Sequence, residues 1–481
     1  MPTSTESDRD FLIYVKVGII WLAILSGGMS TSFPAIGIPA LTDAGIDLTP
    51  AQISVVGSVR QAGIIVGALV TGPLLDNYGR RKGILGSIIP GIAGYLVICS
   101  SGTITALCIG LLLQGIAMGM MNSAGAVYLA EVVSKEWRGS VTVARNVFMS
   151  IGLTITYILG LVIKGNIRLI SFVALFIPTI AFLLGFCFIE ETKMWAQQSK
   201  TGEEKKSFAT LYVDFWKALT SRPDVYKPFR ILNFVNFLRH TSGVVVITNY
   251  TINIIADTGA ASDPYIVAII LGFIRTGAAI MSVVLCSFFG RRTIMFCSGI
   301  LMTVSMIGLA LLQYMGGWPK LTPEAFLALF ISSSVVFLSI SMSLQGEIYP
   351  TELRGMCSSA TMTLSNVQSV IVLAAYPLLK AWIGFDFVMA IFAVASAGCV
   401  LFTFFVVPDT DNKTLEEIGR MFRKNSGLGE ASDEMLPLQS VDSPAMKDIV
   451  IRRRNSRTLS VTDVLPTPSV EMAPRRTDIK K

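Results

Sequence analysis

Long apolar blocks recur along this chain with short polar breaks between them, as in Ile84 to Cys99, Leu169 to Ile189, Ile294 to Leu312 and Phe385 to Val407. A helix rises about 1.5 Å per residue, so blocks of roughly 20 residues span the ~30 Å of hydrocarbon in a bilayer. The pattern predicts twelve such helices. Six lie over 11–30, 51–75, 83–101, 105–130, 139–163 and 168–189, and six over 229–256, 264–289, 294–314, 323–346, 356–380 and 384–407. The first block, Phe11 to Ser26, ends without a small-x-small cleavage site and reads as helix one, not as a removable signal peptide.

The polar segments complete the expected organisation: an N-terminal stretch 1–10, a six-helix bundle 11–189, a linker 190–228, a second bundle 229–407 and a tail 408–481. In the linker, Lys200, Lys205 and Lys206 precede an aromatic-spaced stretch, Phe208 to Trp216, which predicts surface helices at the membrane face. Beyond Arg420 the tail is rich in Ser, Pro, Arg and Asp with few aromatics. Such a composition buries too little apolar surface to offset ordering entropy, and disorder is expected there.

Composition strengthens the membrane reading, because 52% hydrophobic against 15% charged residues is the wrong balance for soluble domains. The net charge of +7 does not point to nucleic acid as a partner, since the basic residues gather in alternate loops. Arg80, Arg81, Lys82, Lys135, Arg138, Arg291, Arg292 and Arg354 share one side, which places both termini in the cytosol by the positive-inside pattern. All seven cysteines lie in or beside apolar runs, so no disulfide framework is implied. The chain has one histidine, no metal-spaced His and Cys cluster and no phosphate-cradling glycine loop. An enzyme, a cofactor and an ATP-driven pump are therefore not expected.

A repeat divides the chain in two. Gly79-Arg80-Arg81 after the second helix matches Gly290-Arg291-Arg292 after the eighth. Glu131 with Arg138-Gly139 matches Glu347 with Arg354-Gly355, and Glu190-Glu191-Thr192 matches Pro408-Asp409-Thr410. The spacings all fall at roughly 210 to 220 residues, as a duplicated six-helix unit requires. Glutamate and arginine at these loop ends can pair across neighbouring helices. The expectation is a charge network of Glu131, Glu347 and the arginines Arg80, Arg81, Arg138, Arg291, Arg292 and Arg354 that holds the cytosolic face closed.

Several stretches resemble the sugar porters of the major facilitator superfamily, and within them the insect trehalose-transporting branch. These are Leu48-Thr49, Gln52, Ser54 and Gly57-Ser58, then Asp76-Asn77-Tyr78-Gly79-Arg80-Arg81-Lys82, and Val127-Tyr128-Leu129-Ala130-Glu131. Gly346 to Gly355 and Pro408-Asp409-Thr410 with Thr414 to Ile418 are the most specific matches. The resemblance runs from Gly28 to Ile418 and implies a twelve-helix fold of two six-helix bundles, with Asp76 joining the gating set.

The family's substrate site uses amides and an aromatic platform, and here the sequence departs from it. The helix-five amide position holds Asn146, the two helix-seven glutamine positions hold Arg239 and His240, and Met342 stands where the family has a tryptophan. The resemblance implies a central site of Asn146, Arg239, His240, Asn249 and Asn366. Arg60, Arg239, His240 and Arg275 all fall inside predicted spans with no acid at similar depth, so the cavity should be basic. His240 can titrate near neutrality or can sit neutral, bonded to a neighbouring helix.

The functional expectation is facilitated uniport of a hexose or trehalose by alternating access, in a monomer in the plasma membrane with lipid and a small solute as its partners. Helix one has no intramembrane acid of the kind proton-coupled symporters use. Two other readings stand beside it. One is an organic-anion transporter using the basic cavity, and the other is a non-transporting sensor or receptor on the same scaffold.

Overall fold

The computed structural model describes residues 4–133, 138–164, 166–192, 208–258, 262–315, 322–350, 353–408 and 421–422. The lysine cluster at 200–206 and the tail beyond 422 lie outside the described residues. Fifteen helices are described: α1 (Ser4–Asp43), α2 (Pro50–Tyr78), α3 (Arg80–Ser100), α4 (Ile104–Val132), α5 (Arg138–Val162), α6 (Ile167–Phe188), α7 (Phe208–Ser221), α8 (Pro223–Thr241), α9 (Val244–Asn249), α10 (Thr251–Asp257), α11 (Pro264–Phe288), α12 (Arg291–Met315), α13 (Thr322–Glu347), α14 (Arg354–Ile383) and α15 (Phe385–Phe405).

Eleven of the described helices are long and apolar enough to cross a bilayer. The twelfth crossing is made of three pieces, α8, α9 and α10. Ser242 ends α8 and Gly243 adopts a left-handed φ of 90°, which a residue with a Cβ rarely takes. A second break falls at Tyr250. The continuous helix expected over 229–256 is thus corrected: it starts at Pro223 and is interrupted at Ser242-Gly243 and again at Tyr250 before Asp257.

α1 also differs from expectation, running to Asp43 instead of ending near residue 30 and containing Pro34 and Pro39. The polar stretch does not end it, because its hydroxyls turn back onto the helix. Ser30 and Thr31 donate to the Gly27 carbonyl at 2.8 and 2.9 Å, and Ser32 donates to Met29 at 3.1 Å. α2 begins with a reciprocal cap, in which Thr49 accepts from the Gln52 amide and the Gln52 side chain accepts from the Thr49 amide, with Pro50 in the first turn.

Alternating helix directions sort the ends into two sides. Arg80, Glu131, Glu190 and Arg291 lie at one side, called here the basic end, and Thr49, Asn166, Asp263 and Gly384 at the far end. In a bilayer no hydrophobic effect pulls helices together, so close backbone approach has to supply the packing. α2 and α4 show this. Gly63 and Gly67 face the Leu112 and Ile116 carbonyls, while Gly115 and Gly119 face those of Arg60 and Ile64, with no room for a Cβ at any of the four. The first six helices and the later ones meet along a seam where α2 packs on α14, α5 on α11, and α1 on α9 and α10.

Candidate functional site

At its far end the seam is shut by polar contacts. Ser54 of α2 donates to the Ala374 carbonyl of α14 at 2.6 Å. The Tyr250 hydroxyl, brought into the seam by the break in the seventh crossing, lies 3.2 Å from the Ile53 carbonyl and 3.4 Å from that of Leu373. Its ring packs at a tilt against Tyr376, centroids 5.2 Å apart, and Gly57 leaves the space its hydroxyl occupies. Tyr157 of α5 bonds with the Thr251 hydroxyl at 2.8 Å, and Lys164 pairs with Asp263 at 2.9 Å across the same end. The Lys164 ammonium, with the Tyr265 amide, holds the Asp263 carboxyl below its ordinary range.

Deeper along the seam, Asn146 of α5 donates to Ser339 of α13 at 3.5 Å, a long contact at the limit of hydrogen bonding. Asn249 and Asn366 spend their amide donors on their own helices, on Val245 and Met362 at 2.8 and 2.9 Å. The Asn249 carbonyl oxygen is buried without a donor. Arg275 reaches Thr248 at 3.4 Å.

Arg239 and His240 are both buried, and they bond to each other and to α14. Arg239 Nη2 donates to His240 Nε2 at 2.9 Å, and Ser365 Oγ lies 2.8 Å from the same nitrogen. Guanidinium only donates, so Nε2 must accept and the ring is unprotonated there. Of the five expected site residues, Asn146 reaches across the seam, Arg239 and His240 join at Ser365, and Asn249 and Asn366 bond locally.

At the basic end the charged residues tie helices of the first half together. Arg80 at the start of α3 pairs with Glu131 at the end of α4 at 3.0 Å, with 13% and 12% of the side chains exposed. Thr192 donates to the other Glu131 oxygen. The Arg80 amide donates to Glu191 at 2.7 Å and the Arg81 amide lies 3.3 Å from it, a contact that Gly79 permits with φ 95° and no Cβ against the carboxylate. Arg81 Nη2 donates to the Phe186 carbonyl at 2.9 Å. Lys16 pairs with Glu190 at 2.8 Å and holds its carboxyl below the usual range. In the second half Arg292 donates to the Phe404 carbonyl, and Arg291 begins α12 beside it. The side chains of Asp76, Arg138, Glu347 and Arg354 lie outside the described ones.

Sequence reasoning missed Glu191, Thr192, Tyr157, Thr248 and Tyr250. Glu191 and Thr192 were legible as part of the repeat, though not as partners of Arg80 and Glu131. Tyr250 carried a signal in its place seven residues past Gly243, the glycine at which the helix breaks.

A family model described as "Sugar (and other) transporter" matches residues 31–422. The facilitated trehalose transporter of Apis mellifera ligustica is 24% identical over 434 residues, which cover 83% of this chain and 86% of that protein. That of Polypedilum vanderplanki is 26% identical over 452 residues, covering 85% and 88%. The inward-open xylose transporter from E. coli superposes with a TM-score of 0.71 at 17% identity, covering 85% of this chain and 99% of that one. The match over most of the length, on a twelve-crossing helical fold, means that this chain belongs to the sugar transporter family of the major facilitator superfamily.

Proposed function

We propose that the protein carries a sugar-class solute across the membrane by facilitated alternating access, with hexoses and trehalose as the first candidates. The observation that carries this reading is the seam itself. It is shut at one end by Ser54 and Tyr250 and is lined farther in by Asn146, Arg275 and Asn249. A two-ended seam closed at one end is one of the two states alternating access needs. The basic end faces the cytosol under the positive-inside rule, which makes the Tyr250 end the outer gate, closed in this state.

Uniport is the favoured mode. Among the described residues the one acid buried as a whole is Asp224, which pairs with Arg222 at 3.0 Å near the start of α8, and Glu324, with one buried oxygen, stands in the first turn of α13. The first helix presents hydroxyls where a coupling acid would stand. The charge cluster of Arg80, Glu131, Glu191 and Thr192 would serve as a rigid inner collar whose contacts with the second half set the balance between states. The protein acts as a monomer in the plasma membrane. Uptake of labelled sugars by purified protein in liposomes tests the reading, which requires saturable entry that does not depend on an imposed ion gradient.

A further inference from the structure

Two buried arginines stand at the same place in the two halves. Gly57-Ser58-Val59-Arg60 in α2 and Gly272-Phe273-Ile274-Arg275 in α11 share a Gly-x-x-Arg pattern, and 272 − 57 and 275 − 60 both give 215. That spacing falls within the repeat of the charged loops. Each glycine touches the opposite half. The Tyr250 hydroxyl fills the space beside Gly57, and a Cβ on Gly272 would come within 2.6 Å of the Thr154 hydroxyl. Each arginine therefore sits about one turn deeper than a contact point of the seam.

Neither arginine has the partner its depth demands. Arg60 is 1% and Arg275 9% exposed, and a guanidinium within the hydrocarbon span is costly unless it is paired or faces a polar path. Nε of both residues and Nη1 of Arg60 are buried without an acceptor. Arg275 makes one long bond to Thr248, and no acid of the described buried set approaches it. In this state it lines a tight cleft between the halves with room for no more than about one water molecule, walled by Leu153 and Tyr157 from α5, Thr248 from α9, Thr251 from α10 and Gly272 from α11. On the same broken segment, Asn249 and Asn253 bury carbonyl oxygens that lack donors. Arg275 thus keeps unused donors of its fork at the seam, and the broken segment carries unused acceptors of its own, a set that suits a negative group on a hydroxylated body better than hydroxyls alone.

We propose that Arg275 receives an anionic group of the transported solute, so that the preferred substrate is a sugar-class molecule bearing a carboxylate or a phosphate. This rests on the transport reading above and narrows its substrate. Arg60 is its counterpart in the first half, retained in the duplicated helix. Arginine is suited to the task because its fork holds two oxygens at once, which a lysine ammonium does not do.

The test is uptake into liposomes of three probes built on one ring: D-glucose, D-glucuronate and D-glucose 6-phosphate. The expected result is entry of one anion about tenfold faster than glucose, a drop of about tenfold or more for that anion in Arg275→Gln that exceeds any change in glucose entry, so that the anion-to-glucose ratio collapses, and an intermediate ratio in Arg275→Lys. The carboxylate and phosphate probes tell the two headgroups apart. Should Arg275→Gln fail to fold, Arg275→Lys together with inhibition of glucose entry by excess anion in the unaltered protein decides the matter. Glucose entry that neither anion inhibits, or anion entry indifferent to Arg275→Gln, overturns the proposal and leaves the transport reading intact. A protein that carries and binds none of the three overturns both.

Discussion

The Tyr250 hydroxyl lies 3.2 Å from the Ile53 carbonyl, joining the broken seventh crossing to the second helix across the seam. The carbonyl is a backbone group, so substitution at Ile53 would leave this bond standing. What permits it is Gly57, one turn along the same helix, which yields its side-chain space to the phenol. Closure at this end therefore depends on the break at Gly243 that sends Tyr250 inward and on the absence of a Cβ at residue 57.

Gly57→Val should prop this end open. The isopropyl group would occupy the place of the phenol, and the state closed here would lose population to the opposite one. A tenfold shift in that balance corresponds to about 1.4 kcal/mol, and uptake should fall by about tenfold or more. A thiol-reactive, membrane-impermeant label on a cysteine placed at Ser54 should react faster in the variant. Equal labelling rates would remove Tyr250 from the gate.

At the basic end, Glu131 holds both Arg80, at the start of α3, and Thr192, just past the end of α6. Because the site is largely closed to solvent, removing the carboxylate leaves a guanidinium and a hydroxyl short of an acceptor. Glu131→Ala should lower stability by about 1–3 kcal/mol, the scale for leaving a buried polar group unmade. Glu131→Gln, which keeps one acceptor oxygen, should lose less while also slowing transport. Thermal unfolding in detergent, read beside uptake, checks the order. Equal melting temperatures in all three proteins would show that the cluster does not brace the half.

The Lys164–Asp263 pair at the far end should respond to pH. Lys164 lowers the Asp263 carboxyl in the state that brings them together. Its contribution to closure is thus fully present above the ordinary aspartate range and is lost as pH on that side falls through the lowered value. Asp263→Asn should remove that acid sensitivity. The Lys164 side chain is 59% exposed, so salt should screen the pair and the effect should be small and fade at high ionic strength. Labelling at the outer end across pH 3 to 6, an interval set about the ordinary carboxylate range, measures it. A sensitivity that survives Asp263→Asn belongs to another group.

The Ser365 hydroxyl sits 2.8 Å from His240 Nε2. Ser365→Ala should cost about 1 kcal/mol of stability, the usual worth of one such bond. Because Arg239 and His240 are committed to each other there, uptake should change much less than in the Arg275 variants. A large loss of uptake at unchanged stability would place the pair on the solute path instead.

The architecture was legible because two strong periodicities carried it. Apolar blocks of bilayer length gave the crossings, and the repeated Gly-Arg-Arg and Glu to Arg-Gly spacings gave the duplication. The extent of α1 was not legible, since Ser30, Thr31 and Ser32 read as a polar end to the helix until their hydroxyls are seen turning back on Gly27 and Met29. Arg239 and His240 were legible as unusual, but their bonds to each other and to Ser365 were not, because chain position alone does not give a buried side chain its partner. Tyr250 was missed for a related reason. Its importance comes from a break that rotates it toward Ile53, and rotation about a helix axis after a break is a tertiary outcome.

Counterflow tests the central claim most directly. Liposomes holding the purified protein would be preloaded with an unlabelled sugar and exposed to a trace of the same sugar labelled, with no ion gradient, using trehalose, glucose and glucuronate in turn. The account predicts transient, saturable accumulation of label for at least one of the three, abolished when the two sides of the seam are cross-linked through cysteines at Ser54 and Ala374. Accumulation only under an imposed proton or sodium gradient would contradict uniport, and no accumulation of any probe would contradict sugar-class transport itself.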